Sequence, residues 1–347
     1  MTSAVPSSPL SLPDLPPNVR LERGTSSLAL PIARRLVSQQ QHSGDVNLAA
    51  QRLVASASAH GIDFTLTYAT LEGPFEAPTA RQACLAVLGA GRTAMLYVSE
   101  PLRQGDAAGP DIARTERARC VLALCSTLGR EHAGRVALAQ SLPDPAEHWS
   151  VSALQLAGFQ SVGTLLYMRR QPRPEDRKKP APPPPLPVGM TLVRVADIPD
   201  ERRNATLVAA MDASYQDTLD CPLLCGLRET RDILTSHQST GTYDPGLWWL
   251  VMQGDAPLAC LFLSPCPEQR TTELVYLGLA KPLRGRGIAR ALMQFGIAHI
   301  SAMQPSWPLA CAVDEANTPA VRLYDALGFR AFARRIGLVK RVGTALS

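Results

Sequence analysis

Between Leu279 and Met293 the chain reads LAKPLRGRGIARALM, an apolar run that gives way to arginines alternating with glycines. The preceding LVYLGLA has the length and composition of a buried strand, and the following IARALMQFGIAHI carries Ile288, Leu292 and Phe295 at helical spacing. The five residues RGRGI therefore stand where a strand ends and a helix begins. A helix start presents unpaired backbone N–H groups and a partial positive charge, which together bind phosphate. Gly285 and Gly287 would let an anion approach the backbone, and Arg284, Arg286 and Arg290 would add charge. The chemistry this pattern serves is that of a pyrophosphate cradle. It is not a Walker loop, because GxxxxGK[ST] is absent, nor a dinucleotide fingerprint, because Arg290 occupies the sixth position of GxGxxG/A. Gly89, Gly91 and Ala94 do have dinucleotide spacing, but the TAMLYV that follows reads as a strand rather than a helix. A tight turn between strands accounts for them.

The elements that would position such a cradle occupy only part of a chain of 347 residues, which is long enough for two domains. Apolar residues at 46% and charged residues at 19% are those of an ordinary globular protein. No apolar run reaches the ~20 residues of a membrane span, and no basic and apolar leader opens the sequence, so a cytoplasmic protein without membrane partners is expected. A net charge of +5 suits an anionic small ligand but, without a clustered basic patch, not nucleic acid. The eight cysteines form no CxxC pair and read as reduced thiols. Cys221 and Cys225 could share a helical face but have no neighbouring ligands to complete a set, so no metal is expected.

Residues 1–27, rich in Pro and Ser, read as a mobile tail, and the proline-rich 171–189 as an interdomain linker. The two segments left, 28–170 and 190–347, share a layout. SVSALQLAGFQSVGTLLYMRR and AVRLYDALGFRAFARRIGLVKR each run from a helix through Gly-Phe into an apolar strand and basic residues, so Gly158 and Phe159 correspond to Gly328 and Phe329. TAMLYVSEPLR likewise corresponds to ELVYLGLAKPLR. One α/β unit, duplicated and then altered in one copy, is the simplest account.

The strand, RGRGIA and helix resemble the R/Q-x-x-G-x-G/A signature of the GNAT superfamily of acyl-CoA-dependent N-acetyltransferases, with Arg284, Gly287 and Ala289 at its diagnostic positions. NTPAVRLYDALGF resembles the superfamily's N-x-x-A-x-x-L-Y-x-x-x-G-F, with Asn317, Ala320, Leu323, Tyr324, Gly328 and Phe329 in place. The resemblance covers Thr271 to about Lys340 well, and the two-copy plan is most similar to tandem members of the mycothiol synthase type. It implies an α/β fold of two tandem GNAT-like domains, each a mixed, mostly antiparallel sheet flanked by helices. It also implies acetyl-CoA as co-substrate. Two parallel strands should splay at a bulge around Tyr276–Leu279 and LACAVD to admit the pantetheine arm, and the amides of Arg286 to Ala289 should hold the pyrophosphate. The resemblance makes Leu277, Leu279, Arg284, Gly285, Arg286, Gly287, Ile288, Ala289 and Asn317 the cofactor-binding set, with an N–H near Leu277 polarising the thioester. Tyr324 would protonate the departing thiolate, and Glu273 would take the proton of the attacking amine.

Each residue also has a plainer reading. Tyr324 fits the apolar face of an amphipathic helix, Asn317 a helix N-cap ahead of Pro319, and Glu273 competes for the base with Asp314, Glu315 or a water chain. The segment Met211–His237 could line an acceptor pocket or form a helix pair, His237 reads as a surface residue, and Trp248 and Trp249 read as strand core. The first copy has Leu154 in place of Tyr324, Glu147 in place of Asn317, and QGDAAGPDIARTERARC in place of the glycine turn, so it reads as degenerate. The expected activity is acetyl transfer from acetyl-CoA to the amine of a small molecule. Alternatives are transfer to a protein N-terminus or lysine, transfer to an aminated xenobiotic, or a non-catalytic acyl-CoA-binding regulator. Nothing in the sequence indicates an oligomeric state.

Overall fold

The computed structural model describes residues 12–37, 45–102, 109–177 and 183–342. They fall into two compact units, one within Met1–Gly89, Thr93–Gln160 and Leu338–Ser347, the other within Ala90–Arg92 and Ser161–Gly337. In chain order the elements are β1 (Arg20–Arg23), α1 (Ala29–Leu36), α2 (Val46–Ser56), β2 (Ile62–Glu72), β3 (Thr79–Gly89), β4 (Thr93–Val98), α3 (Pro110–Glu131), β5 (Leu138–Ser141), α4 (His148–Leu156) and β6 (Gln160–Arg170). The same sequence of elements then recurs: β7 (Thr191–Arg194), α5 (Asp200–Tyr215), α6 (Thr230–Gln238), β8 (Trp248–Gln253), β9 (Ala256–Cys266), β10 (Thr271–Leu279), α7 (Ile288–Met303), β11 (Leu309–Asp314), α8 (Thr318–Ala326) and β12 (Arg330–Arg341).

In the first unit β1, β2, β3 and β4 pair antiparallel in that order, β4 pairs parallel with β5, and β5 pairs antiparallel with the end of β12. In the second unit β7, β8, β9 and β10 repeat the antiparallel run, β10 pairs parallel with β11, and β11 pairs antiparallel with β6. Within each unit the strands are thus mostly antiparallel, with a parallel step among the described residues at the equivalent place. The closing strands are exchanged: β6 follows α4 in sequence yet pairs with β11, and the end of β12 follows α8 yet pairs with β5. A sequence boundary at residue 170 assigns β6 to the first domain, whereas its contacts assign it to the second.

The duplication is visible at atomic detail where α4 and α8 end. Phe159 N–H donates to the Leu154 carbonyl at 3.0 Å and Gly158 N–H to that of Gln155 at 2.9 Å. Phe329 N–H donates to Tyr324 at 3.0 Å and Gly328 N–H to Asp325 at 3.0 Å. Both ends are Schellman motifs, closed by glycines at φ 84° and 90°. Leu154 occupies the buried position of Tyr324, as the alignment of the Gly-Phe pairs requires.

The core of the second unit is built on β8 and β9. Trp248 and Trp249 are strand core as expected, with Trp248 stacked on Phe262 at 4.0 Å between ring centres. Helix α5 packs on β9 and β10, and α7 on the same two strands. Along β6 burial alternates: Leu166, Met168 and Arg170 are buried, Tyr167 is half-buried and Arg169 is exposed, which leaves one face of this strand open.

Two boundaries read from composition are corrected. Within the expected tail, Arg20–Arg23 is a strand paired with Tyr68–Leu71, because its backbone groups satisfy the free edge of β2. Within the expected linker, Pro174–Arg177 forms a 3₁₀ turn held by Asp176, whose carboxylate accepts both terminal nitrogens of Arg170 at 2.7 Å. That guanidinium also donates to the Leu327 carbonyl at 2.8 Å, fastening the turn to the end of α8. Both side chains of the pair are largely buried, so removing one charge strands the other. Asp176→Asn is expected to cost on the order of 3 kcal/mol. Denaturant unfolding checks this: a loss below about 0.5 kcal/mol would show the turn to be loosely held.

Candidate active site

The site is created by a divergence of strands. Strand β10 pairs with β11 only at Thr272↔Leu309 and Glu273↔Ala310, and beyond Glu273 its β11 side has no strand partner. Its other side stays paired with β9 through Leu279↔Ala259, interrupted by one extra residue between Leu274 and Tyr276. That bulge lies at Val275, one residue ahead of the expected Tyr276–Leu279, and it turns the strand away from β11. Between the two strands opens a cleft of about 480 Å³ whose walls include Val275, Leu277, Leu279, Ala312 and Val313.

At the far end of β10 the glycine turn closes the cleft. Gly287, at φ 78° and ψ −4°, is the N-cap of α7, and Gly285 is also left-handed at φ 72°. A Cβ at either position would meet no atom within 4 Å, so both glycines face open space. The first helical bond runs from Ala291 N–H to the Gly287 carbonyl at 3.1 Å, which leaves the N–H groups of Ile288, Ala289 and Arg290 without intrahelical acceptors. A left-handed backbone, bare of side chains and followed by three orphan donors, fits a phosphate anion.

The arginines of the turn divide in a way that the sequence does not show. Arg284 donates to four carbonyls, those of Leu279 at 3.0 Å, Asp217 at 2.9 Å, Ser214 at 2.9 Å and Gln216 at 2.7 Å. It lines the cleft, but its guanidinium is consumed in tying the end of α5 to the end of β10, so its part is a clamp and not a free phosphate charge. Arg286 and Arg290 are exposed, and neither side chain lies in the cleft wall. Gly278 serves the same approach of α5 to β10: a Cβ there would come within 2.6 Å of Ser214 Oγ, which is hydrogen-bonded to the Tyr276 hydroxyl at 2.7 Å.

Helix α8 supplies the opposite wall. Asn317 caps it by accepting the Ala320 N–H at 3.3 Å, and it also faces the cleft, so its structural reading and its position at the site hold together. Tyr324 is buried at the cleft with its ring 5.4 Å from that of Phe329. Burial pushes its phenol well above the usual range, and the nearby Cys311 and Asp220 push in the same direction. The hydroxyl therefore carries its proton at neutral pH.

Glu273 stands apart from this set. It sits on β10 before the divergence, outside the cleft wall, with its carboxyl raised by burial against the opposing pull of Arg169. The cleft thus gathers Leu277, Leu279, Arg284, Gly285, Gly287, Ile288, Ala289, Asn317 and Tyr324, and leaves Arg286 and Glu273 outside its walls.

Composition did not reveal Asp220. Its carboxylate accepts the Asp314 N–H at 2.9 Å while Asp314 accepts the Cys221 N–H at 3.0 Å, a reciprocal pin that holds the loop after α5 against the end of β11. Thr218, Leu219 and Asp220 line the cleft, so part of the segment Met211–His237 is pocket wall as well as helix. Cys221 stands at φ 43° in this loop and Cys225 beyond it, not on a shared helical face. His237 is not at the surface: its ring stacks on Tyr276 at 5.4 Å, and burial, with Arg228 nearby, lowers its pKa to about 4. In the first unit the segment equivalent to the glycine turn falls partly on residues 103–108, outside the described residues.

With this geometry established, the comparisons with known proteins converge. The acetyltransferase (GNAT) family matches over residues 212–329, which contain both walls of the cleft and the glycine turn. Residues 212–329 form a GNAT acetyltransferase domain. A mycothiol acetyltransferase from Geodermatophilus obscurus is 27% identical over 216 residues, 61% of this chain and 65% of that protein. The chain therefore matches a little under two thirds of that relative's length. The crystal structure of a GCN5-related N-acetyltransferase from Sphaerobacter thermophilus superposes with a TM-score of 0.53 at 17% identity, over 96% of this chain and 99% of that one, which shows a shared fold. Among the described residues no helix is long and apolar enough to cross a membrane.

The left-handed backbone at Gly287 sets how the GNAT turn can be tested. Valine there would add backbone strain of about 1–2 kcal/mol, more than its helix propensity alone implies, and would confuse stability with binding. Asn and Asp tolerate the conformation and differ from each other in charge. Gly287→Asp is expected to bind coenzyme A at least about tenfold more weakly than Gly287→Asn, with the gap shrinking as salt is raised. Equal affinities by calorimetry would put the anion elsewhere.

Proposed function

We propose that the GNAT domain transfers an acetyl group from acetyl-CoA to the amine of a small-molecule acceptor by direct attack on the thioester. The observation that carries this reading is the cleft opened by the divergence of β10 from β11, with the orphan donors of α7 at one end and a buried, protonated tyrosine in its wall. Ile288, Ala289 and Arg290 would hold the pyrophosphate through their N–H groups, and the unpaired side of β10 past Glu273 would hold the pantetheine arm. Acetyl-CoA supplies an activated acyl carbon. The amine nitrogen forms the new bond to that carbon, the C–S bond breaks, and the sulfur takes a proton from the Tyr324 hydroxyl. The proton lost by the amine goes to Glu273, directly or through water, because only the neutral amine is nucleophilic. The name of the 27% identical relative, a mycothiol acetyltransferase, supports an acceptor of small size.

One acetyl-CoA per chain is expected by calorimetric titration, since the sequence of the first copy has QGDAAGPDIARTERARC where the second has its glycine turn; a value near two would show that the first unit also binds. Tyr324→Phe should keep acetyl-CoA affinity and slow acetyl transfer about 10²-fold in single-turnover experiments. Unchanged turnover would assign the proton to another donor, and acetyl-CoA binding without transfer to any amine would make the protein a binder rather than an enzyme.

Glu273 must be ionised to act as base, so kcat/KM should fall as pH drops through its raised pKa. That limb should lie above the ~4.3 of an ordinary glutamate, and Glu273→Gln should remove it together with most of the activity. A pH profile of Glu273→Gln that matches the wild type would exclude Glu273.

A further inference from the structure

Four residues stand in one row across the sheet of the second unit. Ser264 pairs with Glu273, Glu273 with Ala310, and Ala310 with Arg169. Paired residues project from the same face, so a hydroxyl, a carboxylate, a methyl and a guanidinium lie side by side on β9, β10, β11 and β6. In the next row Ala312 pairs with Tyr167, at a level where β10 has already turned away. Two alanines therefore make a shallow floor with an acidic wall on one side and a basic wall on the other. Ala312 also belongs to the cleft wall, so this slot opens onto the cleft.

The walls are built and unspent. Arg169 lies over the Phe332 ring at 4.6 Å, and that ring meets Tyr167 edge-on at 6.3 Å, so stacking holds the guanidinium. Among the described residues Arg169 and Glu273 have no ion-pair partner, and Ser264 Oγ is fully buried with no hydrogen-bond partner. Two strand spacings put the Cα atoms of Glu273 and Arg169 about 10 Å apart. With the guanidinium held over Phe332, that spacing suits a ligand carrying its opposite charges on separate groups rather than a direct ion pair.

Resting on the acyl-transfer reading, we propose that the acceptor is an amino acid or similar amino-carboxylate, its carboxylate held by Arg169 and its amine facing Glu273 over Ala310 and Ala312. A neutral amine gains nothing from the basic wall, and a dianion is repelled by the acidic one. Arg169 is thus a specificity-determining residue.

The test uses matched pairs with the same amine: β-alanine and β-alaninamide, 4-aminobutyrate and its amide, L-phenylalanine and its amide. Thiol release from acetyl-CoA is measured for the full chain, Arg169→Gln and Arg169→Lys. The carboxylate member is expected to have at least about tenfold higher kcat/KM in at least one pair, mainly through KM. Arg169→Gln should erase that preference, Arg169→Lys should keep part of it, and both should bind acetyl-CoA as the wild type does. Equal use of acids and amides, or a preference that survives Arg169→Gln, overturns the anion anchor while leaving acetyl transfer standing. Failure to turn over any member of any pair, by a protein that binds acetyl-CoA, overturns the transfer reading and the anchor with it.

Discussion

The site depends on two parallel strands that are allowed to pair at only two positions. Had β10 and β11 stayed in register to their ends, their backbone groups would satisfy each other and no cleft would exist. The bulge at Val275 prevents this by adding a residue on the β9 side, which turns β10 without costing it that pairing. The strand therefore stays anchored along one edge while the other is left with free polar groups facing a cavity. A backbone in that condition is ready to pair with an extended polar ligand.

Such an opening must be held apart. Arg284 does so at the open end of β10, where its four carbonyl contacts join the end of α5 to the strand and fix the glycine turn that follows. The reciprocal bonds, Asp314 N–H to the Asp220 carboxylate and Cys221 N–H to the Asp314 carboxylate, do the same from the β11 side. Both devices draw on the loop after α5, so this loop acts as a brace across the mouth of the cleft. Gly278 permits the brace to sit close, since any side chain there would collide with Ser214. The glycines at 285 and 287 differ in kind: they meet nothing, and their lack of side chains leaves space for something else.

The duplicated plan shows which parts belong to folding and which to chemistry. The helix ends at Gly158-Phe159 and Gly328-Phe329 have matching hydrogen bonds, because closing a helix against a sheet poses the same problem in both copies. What differs is what the copies place on that shared frame. Leu154 fills by packing alone the position that Tyr324 fills with a hydroxyl, so the first unit keeps the helix and carries no hydroxyl at that place.

The sequence by itself determined whatever is local. The glycine turn, the helix after it, the α8 cap at Asn317 and the buried place of Tyr324 all follow from residue types at fixed short spacings, and each is legible in the order of residues alone. Residues that act through distant partners are not. Arg284 reads as one more basic residue of the turn, because the carbonyls of Ser214, Gln216 and Asp217 that consume its charge come from the end of α5 and the loop after it, about 70 residues earlier. His237 reads as a surface residue at a helix end, since nothing near it announces that Tyr276 will cover it. The exchange of β6 and β12, and with it the row of Ser264, Glu273, Ala310 and Arg169, is likewise invisible in the chain, because an apolar strand pattern states which side chains point inward but not which strand lies alongside. Register and neighbour are chosen by backbone pairing across the whole unit, and only the tertiary structure decides them.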